Sequence, residues 1–280
     1  MFGVFHLAQK KNYIQMKIPF YKYQGTGNDF IIIDNRTNLF DRSNNKLVAR
    51  LCDRKFGIGA DGLMLLQMQG DYDYEMVYYN ADGNESTMCG NGGRCLAAFA
   101  KNLGLVDKNA NFIAIDGPHE AVIISGSNES YYISLKMKDV DVVEMGDGYL
   151  FMSTGSPHYV KLVKDIENFD VYAEGKSIRY NDRFAKEGTN VNFVEQHGDG
   201  IFVRTYERGV EDETLSCGTG VAACAIAASL KGWVKAESYC TIKTLGGDLK
   251  VKFKKHGNVF DNIWLEGPAA FVFKGEVDVV

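Results

Sequence analysis

The sequence has no Cys-x-x-Cys pair, no His-x-x-x-His spacing and only five histidines in 280 residues. The ligand sets of a structural zinc site are therefore missing. No apolar run reaches the roughly 20 residues of a membrane span. There is no surplus of positive charge: 31 Lys and Arg stand against 36 Asp and Glu, a net charge of -5. A general nucleic-acid binder would carry a basic face, so neither nucleic acid nor membrane is an expected partner. The stretch Gly-Thr-Gly-Asn-Asp-Phe at 25–30 lacks the Lys-Ser/Thr of a P-loop and precedes a strand, not a helix. The six cysteines, at 52, 89, 95, 217, 224 and 240, form no disulfide framework. With no secretion signal, the expected compartment is the cytoplasm, with reduced thiols. Residues 1–15 place Lys10 and Lys11 after a short apolar patch, the reverse of a secretory signal. They are expected to be a disordered extension before a second start at Met16.

What is present is the material of a soluble globular protein, 45% hydrophobic and 24% charged, enough for one large domain or two of ordinary size. Short apolar and β-branched stretches recur at 30–33, 63–66, 74–79, 112–115, 121–124, 131–135, 160–163, 191–194, 201–206, 239–244, 249–253, 259–265 and 270–273. Gly, Asn and Asp clusters separate them, which predicts strands and turns. A helix is expected over 44–53, with Leu47, Val48 and Leu51 on one face. Two more are expected over 91–102 and 219–230, closed by Gly104 and Gly232. Both are apolar nearly all round, so each has to be enclosed, most simply by a curled sheet.

Each enclosed helix opens on a cysteine turn. Glu85-Ser86-Thr87-Met88-Cys89-Gly90-Asn91-Gly92 and Glu213-Thr214-Leu215-Ser216-Cys217-Gly218-Thr219-Gly220 share the pattern Glu-Ser/Thr-x-x-Cys-Gly-x-Gly. A helix start favours an anion by up to about 2 kcal/mol, which is expected to lower each thiol toward neutrality. The four glycines are expected to let the backbone approach a ligand and aim N–H groups at a carboxylate. Two such thiols suit removal of a proton from one face of a carbon and its return to the other. A lone turn of this kind is more often structural; the matched pair reverses those odds for Cys89 and Cys217. The other four cysteines read as small buried hydrophobes. Arg208 is a candidate clamp for a carboxylate and Glu207 a candidate acceptor for an ammonium.

Taken in order, Gly-Thr-Gly-Asn-Asp-Phe (25–30), Asp-Arg-Lys-Phe-Gly-Ile-Gly-Ala-Asp-Gly (53–62), Tyr-Asn-Ala-Asp-Gly (79–83), Met-Cys-Gly-Asn-Gly-Gly-Arg-Cys (88–95), Gly-Ser-Pro-His (155–158), Thr-Asn-Val-Asn-Phe (189–193), Tyr-Glu-Arg-Gly (206–209) and Ser-Cys-Gly-Thr-Gly (216–220) resemble the diaminopimelate epimerase family, from Met16 to Val280. The resemblance implies an α+β fold of two pseudo-symmetric domains, each a curled, mostly antiparallel sheet around a central helix. The domains would be 16–136 with 269–280, and 137–268, with the site in the cleft between them. It implies cofactor-independent interconversion of LL- and meso-diaminopimelate in lysine and peptidoglycan precursor synthesis, in a cytoplasmic and often dimeric enzyme. Carried onto this chain, Cys89 and Cys217 become the acid–base pair. Gly90, Asn91, Gly218 and Thr219 hold the reacting carboxylate, and Asn28, Asn80, Asn190, Glu207 and Arg208 read the rest of the substrate. His158, with Glu207, would tune a thiol, although a lone histidine after Pro157 is more often structural. Ser156 and Gly62 stand where many members have Asn and Gln. From the residues alone, a proline-type racemase, an amino-acid-binding module and a thiol redox protein remain alternatives.

Overall fold

The computed structural model describes residues 16–235 and 239–279; the expected extension at 1–15 lies outside them. Among the described residues there are four α-helices: α1 (Asn45–Cys52), α2 (Gly90–Asn102), α3 (Val171–Arg179) and α4 (Gly218–Leu230). α2 is buried without a break from Gly90 to Ala100, and α4 from Gly220 to Ser229. Both end as their glycines require. Gly104 (φ 71°) and Gly232 (φ 73°) take the left-handed conformation, while the N–H groups of Leu105 and Trp233 donate back to Ala100 O and Ala228 O, the Schellman arrangement.

Strands wrap each helix. In the first half, Met16–Gly25, Asn28–Asp34, Gly62–Gln67, Tyr74–Asn80, Asn109–Ala114, Gly117–Ser127, Ser130–Lys136 and the later part of Val259–Val279 pair in turn. The last pairs with the first again, closing a ring around α2. In the second half, Tyr149–Ser153, Pro157–Leu162, Asn190–His197, Gly200–Glu207, Cys240–Thr244, Gly247–His256 and the earlier part of Val259–Val279 repeat that order around α4. The same two steps, second to third and fourth to fifth, are parallel. α1 and α3 occupy the same place in each repeat, between the second and third strands. This is the α+β arrangement of two repeated units expected from the enclosed helices, with a mixed, mostly antiparallel sheet.

The sequence reading missed several elements, each with a local reason. Met16–Gly25 is a strand despite Pro19. Its pairing with Asn28–Asp34 begins at Tyr21, so Pro19 faces only Val259–Val279 and forfeits no central bond. The expected strands at 259–265 and 270–273 are one strand, Val259–Val279. It changes partner at Gly267–Pro268, from Gly247–His256 to Ser130–Lys136. α3 carries almost no apolar stripe, only Val171 and Gly175 being buried. It is held by its Asp170 cap on Ala173 N (3.0 Å) and by Gly175, where an added Cβ would lie 2.4 Å from Tyr206 Cβ.

The two halves meet through hairpin tips. Thr26 (φ 50°) and Gly27 (φ 83°) make the two-residue turn of the first hairpin, and the turn at Gly246 packs on it. A Cβ at Gly246 would sit 1.9 Å from Thr26 O. Gly246→Ala should therefore cost about 1–3 kcal/mol by overpacking, read as a lower urea midpoint. An unchanged midpoint would show that this contact yields freely.

Candidate active site

The starts of α2 and α4 touch tip to tip. A Cβ on Gly90 would fall 3.2 Å from Gly218 Cα, and one on Gly218 3.0 Å from Gly90 Cα. Neither glycine has a positive φ; both are needed for lack of bulk. Gly220 and Gly92 are small for the same reason, facing Asn192 Oδ1 at 2.4 Å and Met64 Sδ at 3.1 Å from an added Cβ. The lack of bulk at these four glycines thus serves helix and sheet contact, a role the sequence reading did not give them.

Cys89 and Cys217 are the N-cap residues of the two helices, in extended backbone, and both line one cavity of about 290 Å³. Asn28, Asn80, Gly90, Asn91, Asn190, Glu207, Arg208, Gly218 and Thr219 line it as well. Eleven positions drawn from widely separated segments therefore converge on one cleft. His158 does not line it. It lies fully buried behind Ser156, whose hydroxyl is 3.0 Å from His158 Nε2 and 3.0 Å from Thr219 Oγ1; Thr219 Oγ1 is 3.5 Å from Cys217 Sγ. Any influence of His158 on the sulfur passes through those two hydroxyls. Burial, with Arg208 nearby, pushes His158 down to about 3, so its ring is neutral.

The expectation of acidified thiols is also corrected. Burial pushes Cys89 up to about 11, outweighing the N–H groups of Gly92 and Asn91 that favour its thiolate. Burial and then Glu207 push Cys217 higher still, against Thr219 and Gly220 N–H. The helix-start effect is present but smaller than the loss of solvent. Burial raises Glu207 too, against a hydrogen bond donated by Thr214 Oγ1 at 2.8 Å.

Three of the expected substrate-binding asparagines are committed to protein partners. Asn28 Nδ2 donates to Asp61 (2.7 Å), and Asn190 Oδ1 accepts from Arg208 N (2.9 Å). Asn91 Nδ2 donates to Ser216 O (3.2 Å) and Asn28 Oδ1 (3.3 Å), while its Oδ1 accepts from Arg94 (3.0 Å). Asn91 and Ser216 thereby tie one cysteine turn to the other.

Sequence reasoning missed the Asp116–His119 pair on the cavity wall. Asp116 Oδ1 meets His119 Nε2 at 3.1 Å and accepts from Met88 N at 3.2 Å, so it anchors the residue before Cys89. No local motif marks it, because Asp116-Gly117 reads as an ordinary turn. Among the described residues, no group of three or more His, Cys, Asp or Glu side chains could hold a metal ion, and no helix is long and apolar enough to cross a membrane.

The sequence profile of diaminopimelate epimerase matches residues 20–143 and again 150–272. The chain belongs to the diaminopimelate epimerase family. A diaminopimelate epimerase of Flavobacterium psychrophilum is 55% identical over 91% of this chain and 98% of that protein. One from Chlorobaculum tepidum is 41% identical over 90% and 98%. Members of this family are isomerases. Its fold is shared more widely. A PhzF-family phenazine biosynthesis protein of Bacillus anthracis superposes with a TM-score of 0.74 at 14% identity, covering 94% of this chain and all of that one. A hydroxyproline epimerase of Agrobacterium vitis gives 0.70 at 14% identity, over 94% and 93%. The double match of the family profile agrees with the repeated strand order of the two halves.

Asp116 yields a stability prediction. Burial alone would raise its carboxyl, yet His119, Met88 N–H and Lys138 hold it down to about 2. A group lowered from its unfolded value stabilises the fold above that value and loses the contribution as pH falls. Asp116→Asn should cost about 2 kcal/mol at pH 7, with the gap from wild type closing between pH 4 and 2. Denaturant titrations at several pH values check this; a constant gap would contradict it.

Proposed function

We propose that this enzyme interconverts LL- and meso-diaminopimelate by transferring a proton between two thiols, and the observation that carries the reading is the convergence of two cysteine-capped helix starts on one cavity. One sulfur, as thiolate, removes the α-proton. The other, as thiol, delivers a proton to the opposite face, and the roles exchange in the reverse direction. The chemistry draws its proton donor and acceptor from the protein, so the proposal needs no cofactor.

An amino-acid α-carbon is a weak acid, so the charge that develops on its carboxylate has to be stabilised. The N–H groups at Gly90, Asn91, Gly218 and Thr219 belong to two helix starts directed at the same place, and they are assigned that task. Glu207 and the guanidinium of Arg208 are assigned to a second amino-acid head, Glu207 to an ammonium and Arg208 to a carboxylate. Asn80, the exposed asparagine of the set, is assigned a direct contact. Asn28 and Asn190 are assigned the shaping of the cleft.

The raised thiols fit this scheme once substrate charge is counted. Glu207 pushes both sulfurs toward the protonated form. An ammonium beside it would cancel that influence and ease ionisation of one thiol. Burial that disfavours a free thiolate also makes the thiolate a stronger base when it forms. The enzyme is assigned to lysine and peptidoglycan precursor synthesis in the cytoplasm, as one unit of 16–136 with 269–280 and another of 137–268. A homodimer fits the reading.

Incubation with LL-diaminopimelate in deuterated water tests it, following α-deuterium incorporation and the second stereoisomer. Cys89→Ala and Cys217→Ala should each lose at least about 1,000-fold in epimerisation, and proline should not be turned over. Near-wild-type rates in both variants would remove the two-thiol mechanism. Binding without exchange would favour an amino-acid-binding module instead.

A further inference from the structure

Two hydrogen-bond chains of opposite direction end on the two sulfurs. The first starts at Asn192. Its Nδ2 donates to Tyr159 O at 3.0 Å, and its Oδ1 accepts from Thr205 Oγ1 at 3.0 Å. A carbonyl can only accept, so the amide's orientation is settled. The same Nδ2 meets His158 Nδ1 at 3.1 Å, which makes Nδ1 an acceptor and places the single proton of the neutral ring on Nε2. Nε2 then donates to Ser156 Oγ. Asn190 Nδ2, oriented by Pro157 O, donates to that same oxygen at 3.2 Å. With both its lone pairs filled, the Ser156 hydroxyl has to donate, and Thr219 Oγ1 is its acceptor. The remaining proton of Thr219 is directed at Cys217 Sγ.

The second chain runs the other way. Arg54 holds Asp61 at 2.7 Å, and Asp61 accepts from Asn28 Nδ2. Asn28 Oδ1 therefore points inward, 3.7 Å from Cys89 Sγ. Between a carbonyl oxygen and a sulfur, only the thiol can supply the hydrogen.

We propose that these directions divide the resting proton: Ser156 is a positioning residue that presents a donor to Cys217 through Thr219 and favours its thiolate, while Asn28, set by Asp61, presents an acceptor to Cys89 and keeps it a thiol. Cys217 is then the resting base and Cys89 the resting acid. The inference rests on the two-thiol reading above and deepens it.

The surrounding charges do not reproduce this division. Glu207 faces both sulfurs, and Cys89 and Cys217 feel one another. Cys224 faces Cys217, and Cys95 and Tyr78 face Cys89. Arg94 opposes the proposed division, because it favours a Cys89 thiolate. At the matching position α4 has Ala222. The side-chain hydrogen-bond directions thus pull against Arg94, against the Gly92 and Asn91 N–H groups at Cys89, and against the burial and Glu207 charge that push Cys217 up further than Cys89, and the outcome is measurable.

Iodoacetamide labelling of the full-length chain without substrate, mapped to peptides from pH 6 to 11, gives an ionisation midpoint for each cysteine. Cys217 should ionise below Cys89. Ser156→Ala should raise the Cys217 midpoint by about one pH unit and leave Cys89 in place, while Ser156→Thr, which keeps a hydroxyl, should restore it. A lower midpoint for Cys89 in the wild type, no shift in Ser156→Ala, or an equal shift in Ser156→Thr overturns the proposal. Labelling requires no turnover, so its failure is distinguishable from failure of the epimerisation assay.

Discussion

The contact between Gly90 and Gly218 is the constraint on which the rest of the site depends. Each glycine leaves room only for the other's backbone and the Leu265 side chain, so two helix starts that belong to separate halves meet directly. A side chain at either position would push the tips apart and with them the cysteines that cap them. The contact is secured by a buried bridge: Asn91 donates to Ser216, and Ser216 shares a hydrogen bond of 2.7 Å with Thr26. Polar groups buried this deeply are costly unless fully paired, and here the pairing itself joins the halves. The strand Val259–Val279 adds a covalent tie by entering the sheet of each half in turn.

Enclosure has a second consequence. It raises both thiols and Glu207 and lowers His158, so the protein surroundings disfavour charge on each of those groups. In the proposed reaction, the charged heads of the substrate would supply the opposite charge that burial withholds.

Much of the architecture was legible because its signal is local. An apolar run without a polar side, as in Val221–Ile226, has one consequence wherever it occurs: it has to be covered. Glycines at 104 and 232 end their helices by backbone conformation alone. The strands with clear apolar runs were found for the same reason. The elements missed were those whose reason is a neighbour. α3 is a helix because Asp170 caps it and Gly175 lies against Tyr206. Val259–Val279 is one strand because Gly267–Pro268 finds a partner in Ser130–Lys136.

Eleven of the expected residues line one cleft and His158 lies behind it. Their motifs are contiguous, so sequence by itself determined which residue types would be present: two cysteines at helix starts, small residues beside them, and a cluster of amides and charges. Only the tertiary structure decided what each one does with its hydrogen bonds. Asn28 faces Cys89 with its oxygen because Asp61, thirty-three residues away, takes its nitrogen. Thr219 faces Cys217 with its proton because Asn190, Asn192 and His158 settle the direction of the chain behind it. Hydrogen-bond direction is decided by the last partner in line, and here that partner always comes from a distant segment.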